Sequence, residues 1–215
     1  MILVDNQIND RVKNYIKYKD VYSEREVKPL IEGFIEANLQ SASYDITMTN
    51  KIRKFKNEFR KVELNDKKGI NDCFKEVDIT YGYDLRPNEY ILIQLNEYIN
   101  MPDDLIAHIR PRTTFTKMGL ILSYQHINPS YDGQLQLGLY NATPYVIELI
   151  PNLIIGQLVF EQLSGEADKE RLYYKKDNAK YQHEKGFVGS KVYDEVTKKI
   201  DDEYERLKKK LLGGE

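Results

Sequence analysis

Arg112, Thr113, Thr114 and Lys117 fall within six consecutive residues of the run Arg110 to Gly119, RPRTTFTKMG. A guanidinium grips anionic oxygens two at a time, and hydroxyls and an ammonium donate to the oxygens that remain, so this set suits a multiply charged anion. By itself the run also reads as an edge-strand arginine beside β-forming threonines. Nine residues past Lys117 stands His126, whose imidazole titrates near neutrality, and two residues further Asn128, whose amide donates and accepts but is a poor base. His126 reads either as a structural or anion-facing histidine or as an acid–base group; Asp132 and His183 are weaker candidates for proton transfer. Cys73 is the only cysteine, which excludes an intramolecular disulfide or a multi-cysteine zinc site, and it reads as a half-buried structural thiol.

These groups must be held by a scaffold that 215 residues can bury as one core with appendages. Hydrophobic residues make up 41% and charged residues 31%, and no apolar run approaches the roughly 20 residues of a spanning helix. The first ten residues lack the basic-then-apolar order of a secretory signal, so a reducing cytoplasm is the expected compartment and no membrane partner is expected. Lys plus Arg number 32 against 34 Asp plus Glu, which gives no field for duplex nucleic acid but leaves a small anionic ligand allowed.

From Tyr90 the chain reads as β-branched and aromatic runs broken by Pro102-Asp103-Asp104, a strand, turn, strand pattern that short alternating segments continue through residues 119 to 163. In QLQLGLYN, Leu135, Leu137 and Leu139 point to one face, and Gln134, Gln136, Gly138 and Tyr140 to the other. The charged run 51 to 68 predicts a solvated loop or exposed ribbon. Val192, Val196, Ile200, Tyr204, Leu207 and Leu211 form the stripe of an amphipathic helix stopped by Gly213-Gly214, expected to pack on its own subunit or, second, to pair as a short coiled coil between subunits.

Four blocks in order then resemble the dCTP deaminase and dUTPase superfamily: Arg112-Thr113-Thr114 with Lys117 and Gly119; His126-Ile127-Asn128-Pro129-Ser130-Tyr131-Asp132-Gly133; Leu137-Gly138-Leu139-Tyr140-Asn141; and Leu149-Ile150-Pro151-Asn152 with Ile155-Gly156-Gln157. Asn38-Leu39-Gln40-Ser41-Ala42-Ser43-Tyr44-Asp45, and Asp177-Asn178-Ala179-Lys180-Tyr181 with Gly186, Val188 and Ser190, resemble elements of the deaminase branch. The resemblance implies a mainly β fold, a distorted β-barrel or jelly-roll of the dUTPase-like type with a C-terminal amphipathic helix. It further implies a homotrimer with sites between subunits and Mg²⁺ carried by a nucleoside triphosphate. Residues 1–190 would form the nucleotide-binding domain, 48–87 a variable insert-like region, and 191–215 the helix.

By the same resemblance Arg112, Thr113, Thr114 and Lys117 would hold phosphates, Gln125 would contact the nucleotide, Asn128 would lie near the sugar, and Tyr173, Lys180 and Glu184 would belong to a tail closing over the ligand. The implied activity is hydrolysis of a pyrimidine deoxynucleoside triphosphate, by dCTP deamination or dUTP pyrophosphate cleavage. Three departures favour instead a catalytically silent sensor, sequestering or regulatory trimer. Gly138 replaces the deaminase glutamate, Asn128 replaces the dUTPase aspartate, and the chain from Gly119 to Asn128 is two residues short. Asn128 and His126 remain as the residues available for catalysis.

Overall fold

The alternation of apolar and polar residues read from Tyr90 to residue 163 folds mostly as strands. The structure, a computed structural model, describes residues 1–58, 60–177 and 179–211. In chain order its elements are α1 (Asp5–Lys13), β1 (Ile31–Glu32), β2 (Leu39–Gln40), β3 (Ser43–Phe55), α2 (Lys67–Asp72), β4 (Phe74–Asp78), β5 (Tyr83–Leu85), β6 (Tyr90–Leu95), β7 (Tyr98–Asn100), β8 (Leu105–Pro111), α3 (Thr113–Lys117), β9 (Leu120–Leu122), β10 (His126–Ile127), β11 (Asp132–Gly133), β12 (Gln136–Asn141), β13 (Ile147–Leu149), β14 (Ile154–Gln162) and α4 (Val192–Leu211). The chain divides into two compact units, Met1–Lys54 with Glu76–Phe187, and Phe55–Lys75 with the segment from Val188 onward.

The first unit is built on one curled antiparallel sheet in the order β10-β8-β14-β3-β6-β12-β9. β3 makes the curl possible. It pairs with β14 through Tyr44 to Thr47 and with β6 through Met48 to Lys54, and the register slips between Met48 and Ile52. Such an irregularity bends a strand and sharpens its twist, so the sheet closes around its own apolar face. Tyr44, Ile46, Met48, Ile93, Leu137 and Phe160 are fully buried inside the curl. The α1 helix covers one end with Ile8 and Val12, and its buried Arg11 pairs with Asp104 at 2.6 Å, next to the predicted Pro102 turn.

The leucines of QLQLGLYN point into the core as their spacing predicts, and the C-terminal helix forms over Val192–Leu211; Gly213-Gly214 lie outside the described residues. The charged run is partly ribbon: Lys51–Phe55 ends β3, with Ile52 buried between solvated neighbours. Beyond it, in the second unit, Phe55 stacks on Phe74 and Lys56 pairs with Asp72 at 2.5 Å. Cys73 is half-buried and donates its thiol hydrogen to the Gly69 carbonyl. The helix half-buries the start of its stripe, Val192 and Val196, but leaves Ile200, Tyr204, Leu207 and Leu211 exposed.

Candidate functional site

β8 ends at Pro111, and the chain turns through extended Arg112 into α3. The two threonines therefore sit in a short helix, against their β preference, because buried Phe115 anchors that turn to the core. Thr113, Thr114 and Lys117 are left exposed together. Gly119 follows at φ 73°, and a side chain there would strike the Thr143 methyl at 2.5 Å, so glycine is required to end the helix and re-enter the sheet as β9. Behind the loop lies a residue that spacing alone did not single out. Asp45 on β3 is buried, accepts from Gln157 Nε2 at 3.0 Å and Gln40 Nε2 at 3.3 Å, and stands 3.8 Å from the Arg112 guanidinium. A fixed carboxylate behind a partly exposed guanidinium limits its rotamers and leaves its outer N–H groups for an anion.

His126 lies beside the middle of β8 and Asn128 toward the end away from Arg112. His126 pairs in register with His108, the ring centroids are 5.0 Å apart, and His108 Nε2 lies 3.8 Å from Glu161 Oε1. Although His126 is exposed, partial desolvation by its neighbours pushes its pKa below the ordinary histidine value, the neighbouring His108 adds to that, and a hydrogen bond with the Asn128 side chain together with Glu161 opposes it. The imidazole is therefore neutral at pH 7 and able to accept a proton. His108 was legible in principle, since period-two alternation puts it outward between Ile106 and Arg110; its cross-strand partner was not. Ile127 pairs with Ala107, so Asn128 is level with Ile106, six residues from Arg112 along β8. At about 3.3 Å per residue that is roughly 20 Å. One chain does not bring its Arg112 loop and its Asn128 hairpin together.

The tail closes on the hairpin end. Tyr173 N–H donates to Pro129 O at 3.3 Å, Tyr174 N–H to Ser130 Oγ at 3.2 Å, Gln182 Nε2 to Ser130 O at 3.0 Å and His183 N–H to Asp132 O at 2.9 Å. Ser130 adopts φ 65° where the resemblance has glycine, and its hydroxyl supplies one of these ties. Tyr173 packs edge-on against Tyr131 at 5.7 Å, Lys180 is half-buried in the same segment, and Asn178 lies outside the described residues. Glu184 is buried and accepts from Gln136 Nε2, while Gln125 Nε2 donates to the Gln136 carbonyl at 2.7 Å. Tyr173 and Glu184 thus gather around the hairpin and β12 of their own chain, while Gln125 sits nearer the Arg112 end, its carbonyl accepting from the Ile109 N–H at 3.0 Å.

Gly138 lies on β12, two residues from Gln136 on the same face. Its N–H donates to Ser123 Oγ at 2.8 Å. A Cβ built on it would lie 2.2 Å from the Tyr90 hydroxyl oxygen and 2.7 Å from Tyr90 Cζ. The phenol of β6 fills the space that a side chain at 138 would take, and burial pushes its pKa up, so it stays protonated and is no general base near neutrality. Among the described residues no group of three or more His, Cys, Asp or Glu could hold a metal ion, and no helix is long and apolar enough to cross a membrane.

The dCTP deaminase-like family matches residues 2–163. A protein of Dictyoglomus turgidum named dCTP deaminase, dUMP-forming, is 30% identical over 196 residues, covering 89% of this chain and 95% of its own length. Its namesake in Nanoarchaeum equitans is 28% identical over 204 residues, 86% of this chain and 97% of its own. The crystal structure of 2'-deoxycytidine 5'-triphosphate deaminase from Agrobacterium tumefaciens superposes with a TM-score of 0.56 at 20% identity, covering 75% of this chain and 48% of that one, which supports the mainly β, curled-barrel fold. The match takes in every strand of the curled sheet, the Arg112 loop, the Asn128 hairpin and Gly138 alike: the chain belongs to the dCTP deaminase-like family.

Proposed function

We propose that this chain binds a pyrimidine deoxynucleoside triphosphate through residues 1–190 in the cytoplasm and hydrolyses it, by dCTP deamination or dUTP pyrophosphate cleavage. The observation that carries the binding is the Arg112 guanidinium backed by buried Asp45, with Thr113, Thr114 and Lys117 exposed beside it. The separation of roughly 20 Å between loop and hairpin supports a site shared by two subunits of a homotrimer, one giving Arg112 and Lys117, its neighbour giving Asn128 and the Tyr173 to Glu184 tail. Mg²⁺ would arrive on the triphosphate and neutralise its charge. In the hydrolytic step, neutral His126 would take the proton of a water positioned by Asn128, since the amide can orient a water but cannot deprotonate it.

A second reading, a silent nucleotide-binding trimer, is favoured by Tyr90, which stands where the deaminating carboxylate would be. Incubation with dCTP and dUTP plus Mg²⁺, followed by assays for ammonia and pyrophosphate, separates the two: turnover removes the silent reading, and saturable binding without product removes the hydrolase. In either case Arg112→Ala is expected to weaken nucleotide binding about tenfold by calorimetry, the loss of one charge-assisted contact. Unchanged affinity would move the phosphates elsewhere. Asn128→Asp is expected to raise pyrophosphate release from dUTP; an unaltered rate would show that position 128 does not orient the attacking water.

A further inference from the structure

The exposed stripe of α4 has a more specific order than amphipathicity requires. From Thr197 onward its apolar and polar residues follow a heptad. Thr197, Tyr204 and Leu211 take the a positions and Ile200 and Leu207 the d positions, while Lys198, Lys199, Asp202, Glu205 and Arg206 take b, c and f. Ile200, Tyr204, Leu207 and Leu211 are 51%, 63%, 47% and 86% exposed, so among the described residues the seam is left uncovered. The first turn is different: Tyr193 packs under the Lys67 ammonium of its own unit, 5.1 Å from the ring centroid, and this holds the start of the helix while the seam runs on beyond it.

We propose that this seam is an interface between copies of the chain, in which the C-terminal helices pair in parallel and in register. Two features identify a second copy as the occupant. Glu203 is at g and Lys208 at e of the next heptad, the two positions that face each other across a parallel pair of identical helices, and they carry opposite charges. Among the described residues Glu203 meets Arg206 at 2.7 Å and Lys208 meets Glu205 at 3.8 Å, exposed surface pairs of little strength that an intermolecular contact can replace. Ile200 and Leu207 at d with Tyr204 and Leu211 at a give that seam its apolar layers, and subunits related by a rotation axis present their helices in parallel where those helices run along the axis.

Five layers are few for a free coiled coil, and a helix of this length is marginal alone in water. Tethering to an already associated body removes that difficulty, because the linked helices meet at an effective concentration on the order of millimolar. The inference needs no nucleotide, but it rests on the subunit association of the proposed function.

The test is disulfide trapping in the full chain carrying Cys73→Ser. With Leu207→Cys at a d position, mild oxidation is expected to give a covalent dimer on non-reducing gels, whereas Lys199→Cys on the outer face gives at least tenfold less. Glu203→Lys added to the trap is expected to cut the yield several-fold, and adding Lys208→Glu as well to restore it. Both cysteine positions are solvent-facing, so folding is not at risk. No dimer from Leu207→Cys, or equal yields at 207 and 199, would overturn the proposal, as would charge reversals without effect.

Discussion

Glu97→Ala is expected to lower stability by about 3 kcal/mol, combining the penalty of an unsatisfied buried N–H with that of a cavity. For a chain of this size that is a fall of roughly 6–12 °C in Tm. Glu97 is fully buried, with no cation among its described contacts. Its two oxygens share the Thr47 N–H at 3.2 Å each, and Oε1 accepts the Thr47 hydroxyl at 2.9 Å. The neighbouring Asn96 Nδ2 extends the same junction to Met48 O and Asn152 Oδ1, each at 3.0 Å. The carboxylate therefore sits where β3 changes partners from β14 to β6, at the bend on which the curl of the sheet depends.

Burial pushes the Glu97 pKa up, and its hydrogen bonds from Thr47 only partly oppose this. A folded pKa above the unfolded one means that the native state binds the proton more tightly. The resulting stability is complete below the ordinary glutamate range near pH 4 and is lost as the pH rises through the raised folded value. Glu97→Gln keeps one acceptor for Thr47 and removes the titration. It should cost less than the alanine variant and flatten the wild-type decline as the pH rises above the ordinary glutamate range. Urea unfolding of the three proteins across that rise measures both effects; an alanine variant as stable as wild type would show that the Thr47 bonds are replaceable by water.

The second large effect concerns Gly138. Restoring a glutamate there is expected to destabilise the protein by about 2 kcal/mol and to produce no deaminase, because the new Cβ collides with the Tyr90 ring. In a Tyr90→Ala background the same glutamate has room, and the double variant should be more stable than the sum of the single changes by about 1 kcal/mol or more, the coupling expected of residues in contact. It is also the variant in which ammonia release from dCTP should appear or increase. Thermal unfolding of the four proteins of the cycle and an ammonia assay decide the matter. Strict additivity would mean that Tyr90 does not occupy the acid's position, and the argument for a silent site would lose its basis.

Much of this protein was determined locally and could be read from residue order. The inward leucines 135, 137 and 139 follow from a strand period of two, and the helix over Val192–Leu211 from a stripe every three or four residues. The four motif blocks also led to the family without coordinates. Local preference failed where a buried side chain overrode it, as Phe115 does in turning the two threonines into α3. What only the tertiary structure decided are the partners. Asp45 stands behind Arg112 because β14 joins β3 to β8; Tyr90 covers Gly138 because β6 and β12 pair in one register; and Arg112 and Asn128 are parted because both flank the same strand. These contacts join residues tens of positions apart. Spacing along a chain encodes a repeat within one element, whereas a partner across a sheet depends on register, which the packing of the whole core selects.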